Sequence, residues 1–186
     1  MNKFEIKTKI EQEFKDLSEN FAVTLSIDQH IYNKSYIALL EYLMKKLHLK
    51  GLYVSLNRTY EIICEELKKN KLNINAIYCI DCASKETGKF SNSEKCFCLD
   101  DPSSLTELSF LIRTLCDEKK IKFIVLNSLT TLLLYNDIEA VEKFVHSLVN
   151  KARKSNVSTA IMSPKEKSKE DVLADITQYC DKEIEL

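Results

Sequence analysis

The stretch that decides the fold runs from Phe21 to Ser35 and reads FAVTLSIDQHIYNKS. Its first seven residues are mostly apolar, as in a strand that is buried on both faces. A polar turn over 28–33 follows, and Lys34 opens a segment in which apolar side chains recur at helical spacing as far as residue 47. A buried strand, a short turn and an amphipathic helix form the first part of a parallel β-α-β unit.

The same alternation continues along the rest of the chain. Further strands are predicted over 52–56, 76–81, 122–126, 157–162 and 183–186, and further helices over 59–69, 104–118, 138–154 and 168–178. Several of these strands are apolar throughout, which favours a mostly parallel central sheet covered by helices on both faces. We therefore expect a three-layer α/β/α fold. Residues 83–102 are predicted to form the longest loop, and Ser104 with Glu107 has the spacing of a capping box.

An amphipathic helix is predicted ahead of this core, over residues 3–19. Its apolar side chains form one stripe, made of Ile6, Ile10, Phe14 and Leu17. We expect the stripe to pack on the edge of the sheet, and a docking face for another protein is the alternative.

Composition limits the class of protein. The chain has 186 residues, of which 45% are hydrophobic, and this suits one domain with an N-terminal helix over 1–20 and a core over 21–186. Its 27 basic and 28 acidic side chains leave a net charge of −1, which gives no electrostatic footprint for nucleic acid. We find no membrane span and no secretory signal, so we expect a cytoplasmic protein with reduced cysteines.

Residues 28–35 have the spacing of the phosphate-binding pattern G-x-x-x-x-G-K-[ST]. Lys34 and Ser35 are the residues that would meet phosphate and magnesium. Asp28 and Asn33 stand where the two glycines belong. Glycine matters there because the loop has to turn successive backbone N–H groups around a polyanion, often at positive φ. Asp28 would also place a negative charge beside the phosphates.

The order of these motifs resembles the RecA-like ATPase core, and within it the KaiC-like branch. The likeness covers roughly residues 21–186 and is carried by four segments: 23–43, 51–67, 123–130 and 160–186. The third segment, Phe123 to Thr130, is similar to the Walker B strand of that family, which ends in Asp-Ser-Leu. The resemblance implies a three-layer core that binds ATP with magnesium between subunits of an oligomer.

The resemblance also implies where the chain departs from an active enzyme. Asn57 stands where the catalytic glutamate would follow the second strand, and Asn127 replaces the Walker B aspartate. An amide is a weaker partner than a carboxylate for magnesium. The side-chain amide of Asn57 also cannot act as a general base. We therefore predict an inactive pseudo-ATPase that acts as a regulatory or protein-interaction domain, with no catalytic residue and no required cofactor. Its vestigial nucleotide site would comprise Asn33, Lys34, Ser35 and Asn127.

The alternative is a protein that binds ATP with magnesium, or hydrolyses it slowly, through an atypical loop with Lys34 and Ser35. A helix N-terminus beside a lysine still attracts anions. In either case a protein partner or a homo-oligomer is expected. The apolar run from Leu132 to Tyr135 is interpreted as core packing, with a protein–protein surface as the alternative.

Other side chains that could carry chemistry have a simpler interpretation. Four cysteines, Cys79, Cys82, Cys96 and Cys98, form C-x-x-C followed by C-x-C. Zinc is one option, but strand alternation would send the first two to opposite faces, so we expect buried free thiols and no metal site. The three histidines are scattered. Asp81, Asp100 and Asp101 lie near predicted strand ends and are interpreted as solvated loop acids, with ligand binding at the sheet edge as the alternative.

Overall fold

The computed structural model describes residues 1–84, 93–166, 168 and 170–186. Part of the predicted loop over 83–102 therefore lies outside the described residues. In the described part, seven parallel strands form one sheet in the order β4-β3-β2-β5-β6-β1-β7. The strands are β1 (Ala22–Ile27), β2 (Gly51–Ser55), β3 (Ile77–Asp81), β4 (Cys96–Cys98), β5 (Phe123–Asn127), β6 (Ser158–Pro164) and β7 (Lys182–Glu185).

Helices cover both faces of the sheet. The helices are α1 (Lys3–Phe14), α2 (Tyr32–Glu41), α3 (Tyr60–Lys69), α4 (Leu105–Lys119), α5 (Leu129–Tyr135), α6 (Ile138–Lys154) and α7 (Glu170–Thr177). Buried side chains of α1, α2 and α3 form one hydrophobic core with one face of the sheet, and those of α4 to α7 form a second core with the other face. Strands β1, β2, β3 and β5 are buried along their whole length, because helices lie on both sides of them.

Helix α1 begins with a capping box that the sequence analysis did not identify. The Asn2 side chain accepts hydrogen bonds from the N–H groups of Phe4 and Glu5, and the Glu5 carboxylate accepts one from the Asn2 N–H at 2.9 Å. The buried stripe contains Ile6, Ile10 and Phe14. It packs mainly against α2 and shares the core with Ile184 of the edge strand β7, whose Lys182 contacts Glu13 at the end of α1. Because the chain itself covers this stripe, the alternative of a docking face there is wrong.

Other predicted elements differ from the structure in detail. Helix α1 ends at Phe14 and not at residue 19, and α2 begins two residues before Lys34. The N-terminal capping box predicted at Ser104 is wrong, since its side chain makes no capping hydrogen bond. Helix α5 was not predicted, because its run of threonines and leucines carries no clear helical period. Within the described residues, no helix is both long and apolar enough to cross a membrane.

Candidate functional site

The four predicted site residues gather at the carboxyl edge of the sheet. Asn127 is the last residue of β5 and pairs in register with Ser55, the last residue of β2. Strand β6 separates β5 from β1, whose carboxyl end leads into the turn before α2. The first turn of α2 carries Asn33, Lys34 and Ser35. Parallel α/β sheets commonly bind ligands at this edge, and here the turn and the end of β5 are joined by side chains.

The turn after β1 is wound tightly and does not form an open loop. Residues Gln29–Ile31 form a short 3₁₀ helix that runs directly into α2. The Ile31 N–H donates to the carbonyl of Asp28 at 3.0 Å, and the Tyr32 N–H donates to the carbonyl of Gln29. The Asp28 N–H donates to the carbonyl of Leu186 in the C-terminal segment. These three N–H groups are therefore satisfied inside the protein and do not converge on an anion.

The residues that the sequence analysis predicts to meet magnesium and phosphate have different surroundings. Ser35 is fully buried, and its hydroxyl donates to the Ile31 carbonyl at 3.0 Å. Asn33 and Lys34 are exposed on the first turn of α2. A hydroxyl that already bonds to its own helix could reach a metal ion only after this hydrogen bond breaks.

Asn127 lies at the centre of a buried hydrogen-bond network. Its side chain is completely buried, and its Oδ1 accepts a hydrogen bond from the Tyr32 hydroxyl at 2.7 Å. Its amide Nδ2 donates to the hydroxyl of Tyr53, in the middle of β2. The side chain of Tyr32 thus spans from the start of α2 to the end of β5. We call Tyr32, Asn127 and Tyr53 the tyrosine–asparagine network.

Both phenols of the network are held in the neutral form. Burial raises the pKa of Tyr32 well above its ordinary value, although hydrogen bonding to Ser128 and the charge of Arg58 act in the opposite direction. Burial likewise raises the pKa of Tyr53. Neutral hydroxyls that donate and accept within a low-dielectric interior hold a fixed arrangement, since an unpaired group there is costly.

Arg58 fills the space beside the first turn of α2. It follows β2, and its guanidinium donates to Asn33 Oδ1 and forms an ion pair with Glu66 at 2.8 Å. The guanidinium carbon also lies 5.1 Å from the centre of the buried Tyr36 ring. The cation beside the predicted phosphate position therefore already has an anionic and an aromatic partner within the chain.

Asn57 and Asp81, the acid at the end of β3, differ in burial. Asn57 is exposed in the turn after β2. Asp81 is 1% exposed and accepts hydrogen bonds from the N–H groups of Tyr60, Ala83 and Ser84 and from the Ser84 hydroxyl at 2.5–2.9 Å. The interpretation of Asp81 as a solvated loop acid is wrong. It holds the start of α3 against the end of β3, because a carboxylate can accept several hydrogen bonds at once.

Cys79 and Cys82 are buried on opposite faces as alternation predicts, whereas Cys96 and Cys98 are only half-buried. Cys79 belongs to the core beneath α1 to α3, whereas Cys82 belongs to the core on the opposite face. Burial raises the pKa of both thiols, to about 12 for Cys82. All seven cysteines are free. Among the described residues, no three or more histidines, cysteines or acids are placed to hold a metal ion.

The sequence analysis missed the residues that fill this site. Tyr32, Tyr53 and Arg58 were not singled out, although Tyr32 lies inside the quoted 28–35 motif. A tyrosine two residues before the motif lysine is a signal that could have been noticed, since a bulky side chain takes space in a loop that otherwise wraps phosphate. The contact with Asn127, 95 residues away, could not be read from local sequence.

Comparison with known proteins bears on the fold. No protein-family model matches the chain, and no curated protein matches it. Among solved structures it is similar to a KaiC-like protein from the hyperthermophilic archaeon Pyrococcus horikoshii, with a TM-score of 0.57 and 11% sequence identity. The match covers 80% of this chain and 63% of that chain, so the protein spans less than two thirds of its structural neighbour. The likeness and the all-parallel sheet together show a three-layer α/β/α fold of the RecA-like type.

Proposed function

We propose that this chain is a catalytically inactive RecA-like domain, a pseudo-ATPase that works through association with other proteins. The observation that carries the proposal is the Tyr32 hydroxyl bonded to Asn127 at 2.7 Å. The Tyr32 side chain lies between the turn that would hold phosphate and Asn127, the residue that would orient magnesium. A triphosphate with its metal would have to displace this side chain and leave the buried Asn127 oxygen without its donor.

Three further observations support the same proposal. Three N–H groups at the turn are paired internally, the Ser35 hydroxyl is bonded to Ile31, and Arg58 is paired with Glu66. Phosphoryl transfer depends almost wholly on positioned charges and metal, and the groups that would supply them are replaced or already occupied. The proposed vestigial site therefore has no catalytic residue and needs no cofactor.

Thermal unfolding with and without magnesium and ATP tests this proposal against the ATP-binding alternative. A ligand at a hundred times its dissociation constant stabilises the folded state by about 2.7 kcal/mol, which raises Tm by roughly 5–10 °C for a chain of this size. We expect no shift at millimolar nucleotide. A rise of that size that is lost in Lys34→Ala, but kept in the matched surface variant Lys68→Ala, would establish the alternative.

The proposed association surface lies where α5 meets α6. Leu134, Tyr135 and Ile138 are 73%, 44% and 51% exposed, which is unusual for large apolar side chains so close in sequence. In contrast, Leu132 is fully buried, as the core interpretation of this run predicts. The run from Leu132 to Tyr135 thus splits into a core side and an exposed side.

Light scattering at rising protein concentration tests association. We expect a homo-oligomer, or a heteromeric complex with a protein partner, that Leu134→Ser weakens. Phe4→Ser is the matched control, because Phe4 is 77% exposed on α1, away from this surface. Equal effects of the two variants would show that apolar exposure in general, and not this surface, drives association. A cytoplasmic location is part of the proposal and is supported by the seven free thiols.

A further inference from the structure

A cavity of about 450 Å³ opens at the amino-terminal edge of the sheet, the edge opposite the tyrosine–asparagine network. It lies between the end of α1 and the segment that follows α2. We propose that this cavity binds a small monocarboxylate with an apolar tail, such as a medium-chain fatty acid. The proposal is independent of the proposed function, because none of the network residues lines this cavity.

Aromatic side chains form the wall that would take the tail. The ring centre of Phe14 lies 5.2 Å from that of Phe21 in an edge-to-face arrangement and 5.3 Å from that of Tyr42. Leu47, at the mouth, is 38% exposed. A wall of apolar rings with a few polar groups is typical of small-molecule sites, and the volume lies in their usual range.

The backbone at this wall departs from a regular helix. Helix α2 continues into a π-helical turn over Tyr42–Lys46, and this turn supplies the tyrosine of the wall. Short π-helical turns inside α-helices occur frequently at functional sites, because the extra residue turns a side chain to a new direction. The turn thus gives an independent sign that this wall is built for contact.

Two polar groups that lack partners meet the same cavity. Ser158 is only 5% exposed and lines the cavity, and its hydroxyl makes no hydrogen bond within the described part of the chain. The buried side-chain atom without a partner among the described residues is Thr159 Oγ1, so the Ser158 hydroxyl is open to the cavity and can donate to a ligand there. Lys122 also lines the cavity, is exposed, and has no acidic partner among the described residues. The N–H of Ser158 donates to the Lys122 carbonyl at 3.0 Å, which keeps the two residues side by side.

This pair of groups selects the head of the ligand. One hydroxyl and one ammonium match the two oxygens of a carboxylate, and charge-assisted hydrogen bonds of this kind are strong. Lys15, a second cation on the lining, reaches Asp16 only at 3.9 Å. Glu19 is the one acid among the lining residues, and its charge disfavours a polyanion more than a single carboxylate. An ammonium head would be repelled by both lysines.

Isothermal titration calorimetry with octanoate tests the proposal, with octanol and octylamine as probes that keep the tail and change the head. We expect octanoate to bind more tightly than either. Lys122→Met keeps an apolar stem and removes the charge, so it should weaken octanoate binding about tenfold or more without changing octanol binding. Ser158→Ala should also weaken octanoate binding. Lys68→Met, at an exposed lysine of α3, is the matched control and should have no effect.

Amide chemical shifts in nuclear magnetic resonance spectra locate the ligand independently of the variants. The largest changes on adding octanoate should fall at Phe21, Tyr42 and Ser158. Absence of binding at millimolar octanoate would overturn the proposal. Equal binding of the three probes would also overturn it, as would chemical-shift changes confined to the amides of α5 and α6. Each of these results would leave the nucleotide proposal untouched, since that is tested separately with magnesium and ATP.

Discussion

Replacing Tyr32 by phenylalanine removes one hydroxyl from the tyrosine–asparagine network and keeps the ring. The Asn127 oxygen, which is completely buried, then loses its donor at 2.7 Å. Leaving such a group unsatisfied costs about 1–3 kcal/mol. For a chain of this size, Tm falls by about 2–4 °C for each kcal/mol, so we expect a decrease of roughly 2–12 °C.

The assay is urea unfolding followed by circular dichroism, combined with a double-mutant cycle. Asn127→Leu removes the amide from the same network. In that background Tyr32→Phe should cost less than about 0.5 kcal/mol, because no buried amide oxygen is left to satisfy. Tyr179→Phe is the matched control, since the hydroxyl of Tyr179 makes no hydrogen bond in the described part of the chain. If Tyr32→Phe alone leaves the free energy of unfolding within about 0.5 kcal/mol of the wild type, the reasoning about this network is refuted.

Three further predictions concern stability. Asp81→Asn should destabilise the fold by about 2–4 kcal/mol in urea unfolding, because the amide cannot accept all the hydrogen bonds that the buried carboxylate accepts. Asp175→Asn, at an exposed position, is the control and should change the free energy of unfolding little. Gly51→Ala would place a Cβ inside the Phe123 ring, so we expect a loss of about 1–3 kcal/mol that Phe123→Leu partly restores; no loss would show that the ring moves freely. Burial raises the pKa of the Cys82 thiol from 9.0 to about 12, so its contribution to stability is complete below pH 9 and is lost as pH rises towards 12. Unfolding under reducing conditions should therefore show a fall of at most about 1.4 kcal/mol per pH unit that is smaller in Cys82→Ala; equal slopes in both proteins would contradict this.

Local pattern was sufficient for most of the fold. The apolar runs of β1 and β5 and the helical stripe of α1 gave element type and order, because each depends on the burial of neighbouring residues in the chain. Helix α5 was not predicted, because one of its faces packs on the core while its exposed face carries apolar instead of polar side chains. The capping box at Ser104 failed because a matching residue pair does not guarantee the backbone geometry.

For the candidate site, the sequence predicted where the residues lie but not which contacts they make. Motif spacing placed Asn33, Lys34, Ser35 and Asn127 at one edge of a parallel sheet, and the structure brings the start of α2 and the end of β5 together there. What occupies the space between them could not be predicted in the same way. The partners of Asn127 come from two other elements and lie 95 and 74 residues away in the chain.

The sequence by itself determined the alternation of strands and helices, the burial of the strands on both faces, and the presence of Asp28, Asn33, Asn57 and Asn127 where the resembled motifs have glycines or acids. Only the tertiary structure decided that Tyr32 spans the site, that Asp81 is buried, and that an unpaired hydroxyl at Ser158 faces a cavity at the other edge. The physical reason is that periodicity reports the burial of a side chain relative to its own neighbours. Hydrogen-bond partners and cavities depend on how separate elements pack together.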